Sequence, residues 1–432
     1  MVRHSSESPN TKVSMSSPDV SDAEREAVAA VLNTPNLSMG QEILGFEDSF
    51  RRYTGKKHAM GVSSGTAGLH LCVRAAGIGD RDGAYTDLVI TSPFSFVASS
   101  NVLLFERAVP VFVDVDPNTG NIDPELVKAA VEDLQRGARS AKKWLPRQGT
   151  GKRWRLKGLL PVDVFGQPAD MDAIMQIASQ FQLPVIEDAC EALGAEYKGR
   201  LAGGLGDYGV FAFYPNKQIT TGEGAMIVTD DDQAAAMMKA MRNQGRAPGD
   251  TWLQHTHLGY NYRLDEMSAA LGRVQIGRIE ELLSKRERVA GWYAQRLSEI
   301  PGVEAPNQAP TTTRASWFVY VIRFSAGIDR DHVAVTLGEH GIPARPGDPL
   351  FGCDERRRSP PGVPGAESHP DQLKNRPGAQ DEFPDDQDVK TTSSLPISFS
   401  WMRLTTISMC CDWCTKSRSS VRMVRTGQIS KV

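Results

Sequence analysis

The sequence predicts an α/β fold: a large domain on a mainly parallel sheet, then a smaller C-terminal α+β domain. Three observations predict it. From about residue 58, short apolar runs alternate with helix-period segments, the texture of βαβ units. Those runs are apolar throughout rather than at every second position, as strands covered on both faces must be. The 432 residues also exceed what one ordinary core organises, so two or three units are expected.

Residues 1–17 are Ser-rich and polar and read as a mobile tail. Structure is expected to begin where Ser21 and Glu24 form a capping box ahead of Ala27, Val28, Val31 and Leu32. His58–Val62 reads as a strand, followed by a Gly/Ser/Thr turn and a helix over Ala67–Ala76. Asp87–Thr91 and Val109–Val113 read as buried strands. Leu159–Val164 and Leu183–Glu187 flank a helical pattern at Met171–Gln180. Tyr208–Tyr214 and Ala225–Val228 read as strands joined by a Thr/Gly-rich loop over Pro215–Gly224. Asp265–Leu283 and Lys285–Leu297 carry a helical period with a charged, solvated face, Trp317–Phe324 a strand and Asp331–Glu339 a short helix. The large domain is assigned to residues 18–255 and the small one to 256–345.

Two segments stand apart. Gln135–Gly158 carries nine Lys/Arg and no acid, with Trp144 and Trp154 between them. It reads either as a basic surface insertion or as a site for a phosphate-bearing ligand or polyanion. Residues 346–380 hold 7 Pro and 5 Gly, a composition that cannot bury enough apolar surface to offset its ordering entropy. The stretch 346–432 is read as an aberrant, disordered tail, and its abrupt loss of apolar periodicity resembles a shifted reading frame. Within it, Cys411 and Cys414 have C-x-x-C spacing, but no second pair or His cluster accompanies them, so no metal site is assigned.

Composition narrows the function. A net charge of −3, from 49 Lys+Arg against 52 Asp+Glu, argues against a nucleic-acid or membrane-surface protein. No run approaches the roughly 18 uncharged apolar residues of a membrane span. The N-terminus lacks the apolar core of a secretory signal, and six cysteines form no disulfide framework. The expected location is the cytoplasm.

Three features bear on chemistry. Ser63-Ser64-Gly65-Thr66-Ala67-Gly68 turns from a strand into a helix, where free N–H groups and the helix dipole can seat a phosphate. Such turns are also common as plain structure. Asp188 ends the apolar run Val185-Ile186-Glu187, at the strand end where open α/β sheets bind ligands. It could hold a cationic nitrogen or cap a helix. Lys217 follows the aromatic strand and precedes the Thr/Gly loop. Desolvated, it could condense with an aldehyde; solvated, it is only a charge. Taken together, a phosphate seat, an acid and a lysine are what pyridoxal phosphate requires: an anchor, a partner for its ring nitrogen and an amine for its aldehyde.

Seven segments carry a resemblance: SSGTAGLHL (63–71), TSPFSFVASSN (91–101), FVDVDPNTGNID (112–123), PVDVFGQPADM (161–171), VIEDACEALGAEYKG (185–199), GDYGVFAFYPNKQITTGEGAMIVT (206–229) and LGYNYRLDEMSAALG (258–272). From about residue 18 to 345 the chain resembles the DegT/DnrJ/EryC1/StrS family of nucleotide-sugar aminotransferases, which have the fold-type-I aspartate aminotransferase fold.

The resemblance implies that Lys217 carries the cofactor aldehyde as a Schiff base and moves the proton during catalysis. Asp188 would pair with the ring nitrogen, Gly65 and Thr66 would hold the phosphate, and Phe96 would stack on the ring. Glu191 stands where the family usually has Gln or His near the ring hydroxyl. Asn261 would reach the phosphate in a neighbouring subunit, implying a homodimer with shared sites. Ala212 replaces a Ser that binds phosphate in many relatives. The implied donor is glutamate, leaving as 2-oxoglutarate, and the acceptor a nucleotide-linked keto-sugar of polysaccharide, lipopolysaccharide or secondary-metabolite biosynthesis. Dehydratase members replace the lysine with His, so Lys217 speaks against that branch. A non-catalytic cofactor- or sugar-binding regulator of the same fold is the alternative. A nicotinamide-dependent dehydrogenase lacks the G-x-G-x-x-G it would need after an early strand.

Overall fold

The computed structural model describes residues 17–79, 83–146, 150, 153–247, 249–251 and 253–346, and the backbone of 405–409. In chain order the elements are α1 (Asp22–Leu32), α2 (Gln41–Thr54), β1 (His58–Val62), α3 (Gly65–Ala75), β2 (Tyr85–Thr91), α4 (Ala98–Phe105), β3 (Val109–Phe112), α5 (Pro124–Arg136), α6 (Ala138–Ala141), β4 (Arg153–Leu160), α7 (Met171–Phe181), β5 (Ile186–Asp188), β6 (Glu196–Tyr197), β7 (Arg200–Leu201), β8 (Tyr208–Ala212), β9 (Ala225–Thr229), α8 (Asp232–Arg242), α9 (Glu266–Gly277), α10 (Ile279–Leu297), β10 (Val303–Glu304), β11 (Thr312–Arg314), β12 (Tyr320–Phe324), α11 (Arg330–Glu339), β13 (Ala344–Pro346) and β14 (Thr405–Met409).

The large sheet runs β1-β9-β8-β5, and single parallel bridges, Leu159 to Val185 and Val162 to Asp188, carry it on into β4-β2-β3. Only β9 runs against its neighbours in this order; β8, β5, β4, β2 and β3 pair in parallel. The mainly parallel sheet is therefore as expected, and its strands are buried nearly throughout. One face meets α3, whose residues Ala67 to Val73 are all buried, together with α8. Phe46, Phe50, Phe211 and Phe213 cluster in a second core beside α2 and α9. α5 and α7 close a third, over β3 and β4.

β4 departs from expectation. It begins at Arg153 rather than Leu159, so Gln135–Gly158 is not a simple surface insertion: it holds the end of α5, all of α6 and most of a sheet strand. Arg155 pairs with Asp87 on β2, an acid with no exposure. The last helical pair breaks at Arg278, six positions before the predicted break. Within the expected tail, Pro346 closes β13, and the backbone of Thr405–Met409 pairs antiparallel with both β12 and β13. Cys410, Cys411 and Cys414 lie outside the described residues.

The capping box at α1 forms as predicted and does more than cap. Ser21 N–H donates to Glu24 at 2.7 Å, and the other Glu24 oxygen accepts from Gln275 at 2.7 Å and Arg278 at 2.6 Å. Burial alone would push the Glu24 carboxyl up, but these donors hold it down at about 2. A depressed acid contributes stability that is full above the ordinary carboxylate range and is lost as pH falls toward 2. Glu24→Ala is expected to cost about 2 kcal/mol, because Arg278 loses a buried partner while keeping Asp19 and Glu281. Urea denaturation at neutral pH and near pH 3 checks it, the difference between wild type and variant shrinking in acid.

Candidate active site

The site lies where the carboxyl ends of the parallel strands meet the start of α3. Ser64 caps that helix, its hydroxyl accepting Ala67 N–H at 3.1 Å. Gly65 opens it under tight packing: a Cβ there would lie 3.0 Å from the Ala212 Cβ and 3.1 Å from Cys190 Sγ. The turn thus approaches β8 and the end of β5 as only a glycine allows. Ala212, where a Ser was noted as missing, is what Gly65 packs on.

Asp188 ends β5, 4% exposed. Its Oδ2 accepts from Ser99 Oγ on α4 at 2.7 Å and its Oδ1 from Cys190 N–H at 3.2 Å. Cys190 shows how closely the groups gather. Burial pushes its thiol well up, the charge of Asp188 adds to this, and Lys217 pulls the other way. One sulfur therefore senses Asp188, Lys217 and Glu191 while touching the Gly65 turn.

Lys217 stands in the loop after β8, its side chain mostly buried. Nζ sits 3.9 Å from the centre of the Phe318 ring and 3.7 Å from Glu191 Oε1. The backbone is fixed at both ends: Lys217 N–H donates to Tyr214 O at 2.8 Å and Lys217 O accepts from Arg286 Nη2 at 2.8 Å. Glu191 in turn accepts Phe165 N–H at 3.0 Å, and Gln218 ties Glu191 O to Ser316. Asn216 beside the lysine keeps a buried carbonyl oxygen without a partner.

The structure brings Gly65, Asp188, Glu191 and Lys217 together, with Thr66 in the first turn of α3. Phe96 lies on the loop between β2 and α4, three residues before Ser99, and its ring is 62% exposed. Asn261 is exposed and its backbone bridges Asn243. Sequence reading missed Ser99, Arg286, Ser316 and Phe318. Beyond Phe165 and Trp317 an open cleft is lined by Asn118, Thr119, Gln167 and Arg323 as well. Phe165 and Trp317 both hold left-handed backbones, at φ 62° and 53°. They meet at Gly166, where a Cβ would come within 2.7 Å of Trp317 N.

The helix terminus, acid and amine fit pyridoxal phosphate in number and chemistry, and the Cβ-free approach at Gly65 leaves backbone donors open to an anion. Among the described residues no group of three or more His, Cys, Asp or Glu is placed to hold a metal. No helix among them is long and apolar enough to cross a membrane.

Comparison with known proteins agrees. The model of the DegT/DnrJ/EryC1/StrS aminotransferase family matches residues 18–349. GDP-perosamine synthase of Caulobacter vibrioides is 38% identical over 339 residues, 78% of this chain and 84% of that one. Among solved structures, S. venezuelae DesV in complex with a ketimine intermediate is 32% identical, with TM-score 0.64, covering 74% of this chain and 78% of DesV. E. coli GDP-4-keto-6-deoxy-D-mannose-3-dehydratase with bound hydrated pyridoxal phosphate is 26% identical, with TM-score 0.67, covering 77% and 84%.

Proposed function

The chain belongs to the DegT/DnrJ/EryC1/StrS family and is a pyridoxal-phosphate-dependent aminotransferase of nucleotide-sugar chemistry, and on that premise we propose that it moves the amino group of glutamate onto a nucleotide-linked keto-sugar. The product would serve surface polysaccharide, lipopolysaccharide or secondary-metabolite biosynthesis in the cytoplasm. The observation that carries the reading is the buried Lys217 amine between Glu191 and the Phe318 ring, in the same pocket as Asp188 and the Gly65 turn.

Bound pyridoxal phosphate supplies an aldehyde that condenses with amines and a ring that takes up electron density. This chain's residues do the rest. The first N–H groups of α3, with Gly65 and the Thr66 hydroxyl, hold the phosphate. Asp188, steadied by Ser99 Oγ at 2.7 Å, would accept the ring N–H and favour the protonated ring. The Lys217 amine, once free, would act as the general base toward the donor's α-proton and as the general acid that gives that proton back. Glu191, 3.7 Å away, stands as the nearest carboxylate to that amine. Phe318, its ring centre 3.9 Å from Nζ, covers that amine on one side. Phe96, exposed between β2 and α4, would stack on the ring. The open cleft past Trp317, with Arg323, Asn118 and Gln167 on its wall, is where the acceptor would enter.

Two observations support a homodimer with shared sites. Asn261 is exposed, and Leu253, Leu258, Leu104 and Phe105 leave large apolar side chains exposed. The dehydratase relative performs other chemistry on a similar fold, and Lys217 separates this chain from the His-bearing branch.

The test is spectroscopic. Purified protein with pyridoxal phosphate is expected to show absorbance that shifts on adding glutamate, with 2-oxoglutarate released. Addition of keto-sugar nucleotides should then reverse the shift for the acceptor it uses. Cofactor retained without any response to glutamate would mark a binding protein instead.

A further inference from the structure

Behind Asp188 lies a second pair of acids that the proposed reaction does not use. Asp163 follows β4 and Glu187 precedes Asp188 on β5; both have no exposure. Their backbones are locked side by side, Asp163 N–H donating to Asp188 O at 3.0 Å and Asp188 N–H to Pro161 O at 2.9 Å. Glu187 accepts three backbone N–H groups and keeps one acceptor site: Gly203 N–H reaches one oxygen at 2.6 Å, and Leu205 and Gly206 N–H reach the other at 2.7 and 2.9 Å. For Asp163, Oδ1 accepts Ala169 N–H at 2.8 Å, while its Oδ2 is buried with no donor directed at it.

An acceptor oxygen that faces a carboxylate in a dry interior is satisfied in one way, by carrying a proton and donating it. We propose that Asp163 is a positioning residue held as the neutral acid, donating from Oδ2 to Glu187, so that the ends of β4 and β5 are fastened under Asp188 by one shared proton. Burial raises the Asp163 carboxyl well above its ordinary range, and the charges of Glu187 and then Asp188, both on β5, raise it further. The shared proton leaves one negative charge behind Asp188 where two carboxylates stand. Glu187, held by three N–H groups, also tethers the Gly203–Gly206 loop to the same point. The consequence for cofactor binding rests on the proposed function; the protonation itself does not.

Asp163→Asn tests it, because the amide replaces the acid's O–H by N–H and keeps the carbonyl toward Ala169. The full chain is measured with and without pyridoxal phosphate. Unfolding must release the proton of Asp163, since the folded chain holds it and the unfolded chain does not. The wild-type folding equilibrium should therefore fall about tenfold more per pH unit than that of the Asn variant between about pH 5 and 7. Infrared spectra of the wild type at neutral pH should show a protonated-carboxyl band that exchanges slowly in heavy water and is missing from the variant. The Asn variant should keep cofactor affinity within about threefold, whereas Asp163→Leu, which leaves Glu187 unanswered, should lose at least about tenfold. Parallel pH profiles, or a wild type without the infrared band, would overturn the proposal whatever the fate of the transaminase assignment. A chain that passes both yet shows no response to glutamate would overturn the function alone.

Discussion

Lys217→Ala is expected to reduce transamination by about ten-thousandfold or more, since it removes both the attachment amine and the proton carrier. Borohydride should fix pyridoxal phosphate to the peptide containing position 217 in the wild type and to no peptide in the variant. The loss should be chemical rather than structural. The loop is held through the backbone of residue 217, to Tyr214 O on one side and Arg286 on the other, and alanine keeps both bonds. Glu191 retains Phe165 N–H as its donor. Stability should accordingly change by less than about 1 kcal/mol, which urea denaturation checks. Lys217→Arg should be as inactive, because a guanidinium at neutral pH has no free lone pair to attack an aldehyde or accept a proton. A variant that keeps its borohydride-fixed cofactor would place the attachment on another side chain and end the mechanistic reading.

Lys217, Asp188 and Gly65 were legible in the sequence because each sits at a punctuation point: the end of an apolar run or the turn into a helix. Their neighbours were not. Ser99 reaches Asp188 across 89 positions and Arg286 reaches Lys217 O across 69. Nothing local distinguishes that serine from Ser100 beside it, or that arginine from Arg288 on the same helix. Only the sheet order, which sets α4 over the end of β5, selects them. Phe318 was read as part of a strand; the strand starts at Tyr320, and the residues before it form the strained turn against Gly166. β4 was half hidden for a different reason. Its first half alternates Arg153, Arg155 and Lys157 with Trp154 and Leu156, a pattern that looks like a basic loop until Asp87 is seen to answer Arg155 from within the sheet. The family match ends at residue 349, close to where the sequence pattern gives out, and β14 lies beyond it. Protein bearing the 346–432 stretch, set beside its coding sequence, decides whether a shifted frame produced it.

Asp188→Asn is expected to lower the transamination rate by about a hundredfold to a thousandfold while leaving the cofactor attached to Lys217. The amide occupies the same space, so packing around Ser99 and Cys190 is kept, but its charge is gone. A neutral partner cannot hold the ring nitrogen protonated, and the ring then takes up electron density poorly at the moment the Lys217 amine removes the α-proton. The rate should fall and the donor KM should change little, because the role proposed for Asp188 is toward the ring nitrogen and not toward either substrate. Ser99→Ala is the graded companion. It removes one donor to a charged acceptor, an interaction of about 1.5–3 kcal/mol, and should cost roughly ten- to a hundredfold with the carboxylate still in place. The order of the two effects is the discriminating result. If Ser99→Ala proved as damaging as Asp188→Asn, orientation of the carboxylate rather than its charge would be what the site requires. If Asp188→Asn were harmless, Asp188 would be the helix-capping acid that its position at a strand end equally allows, and the ring nitrogen would need another partner.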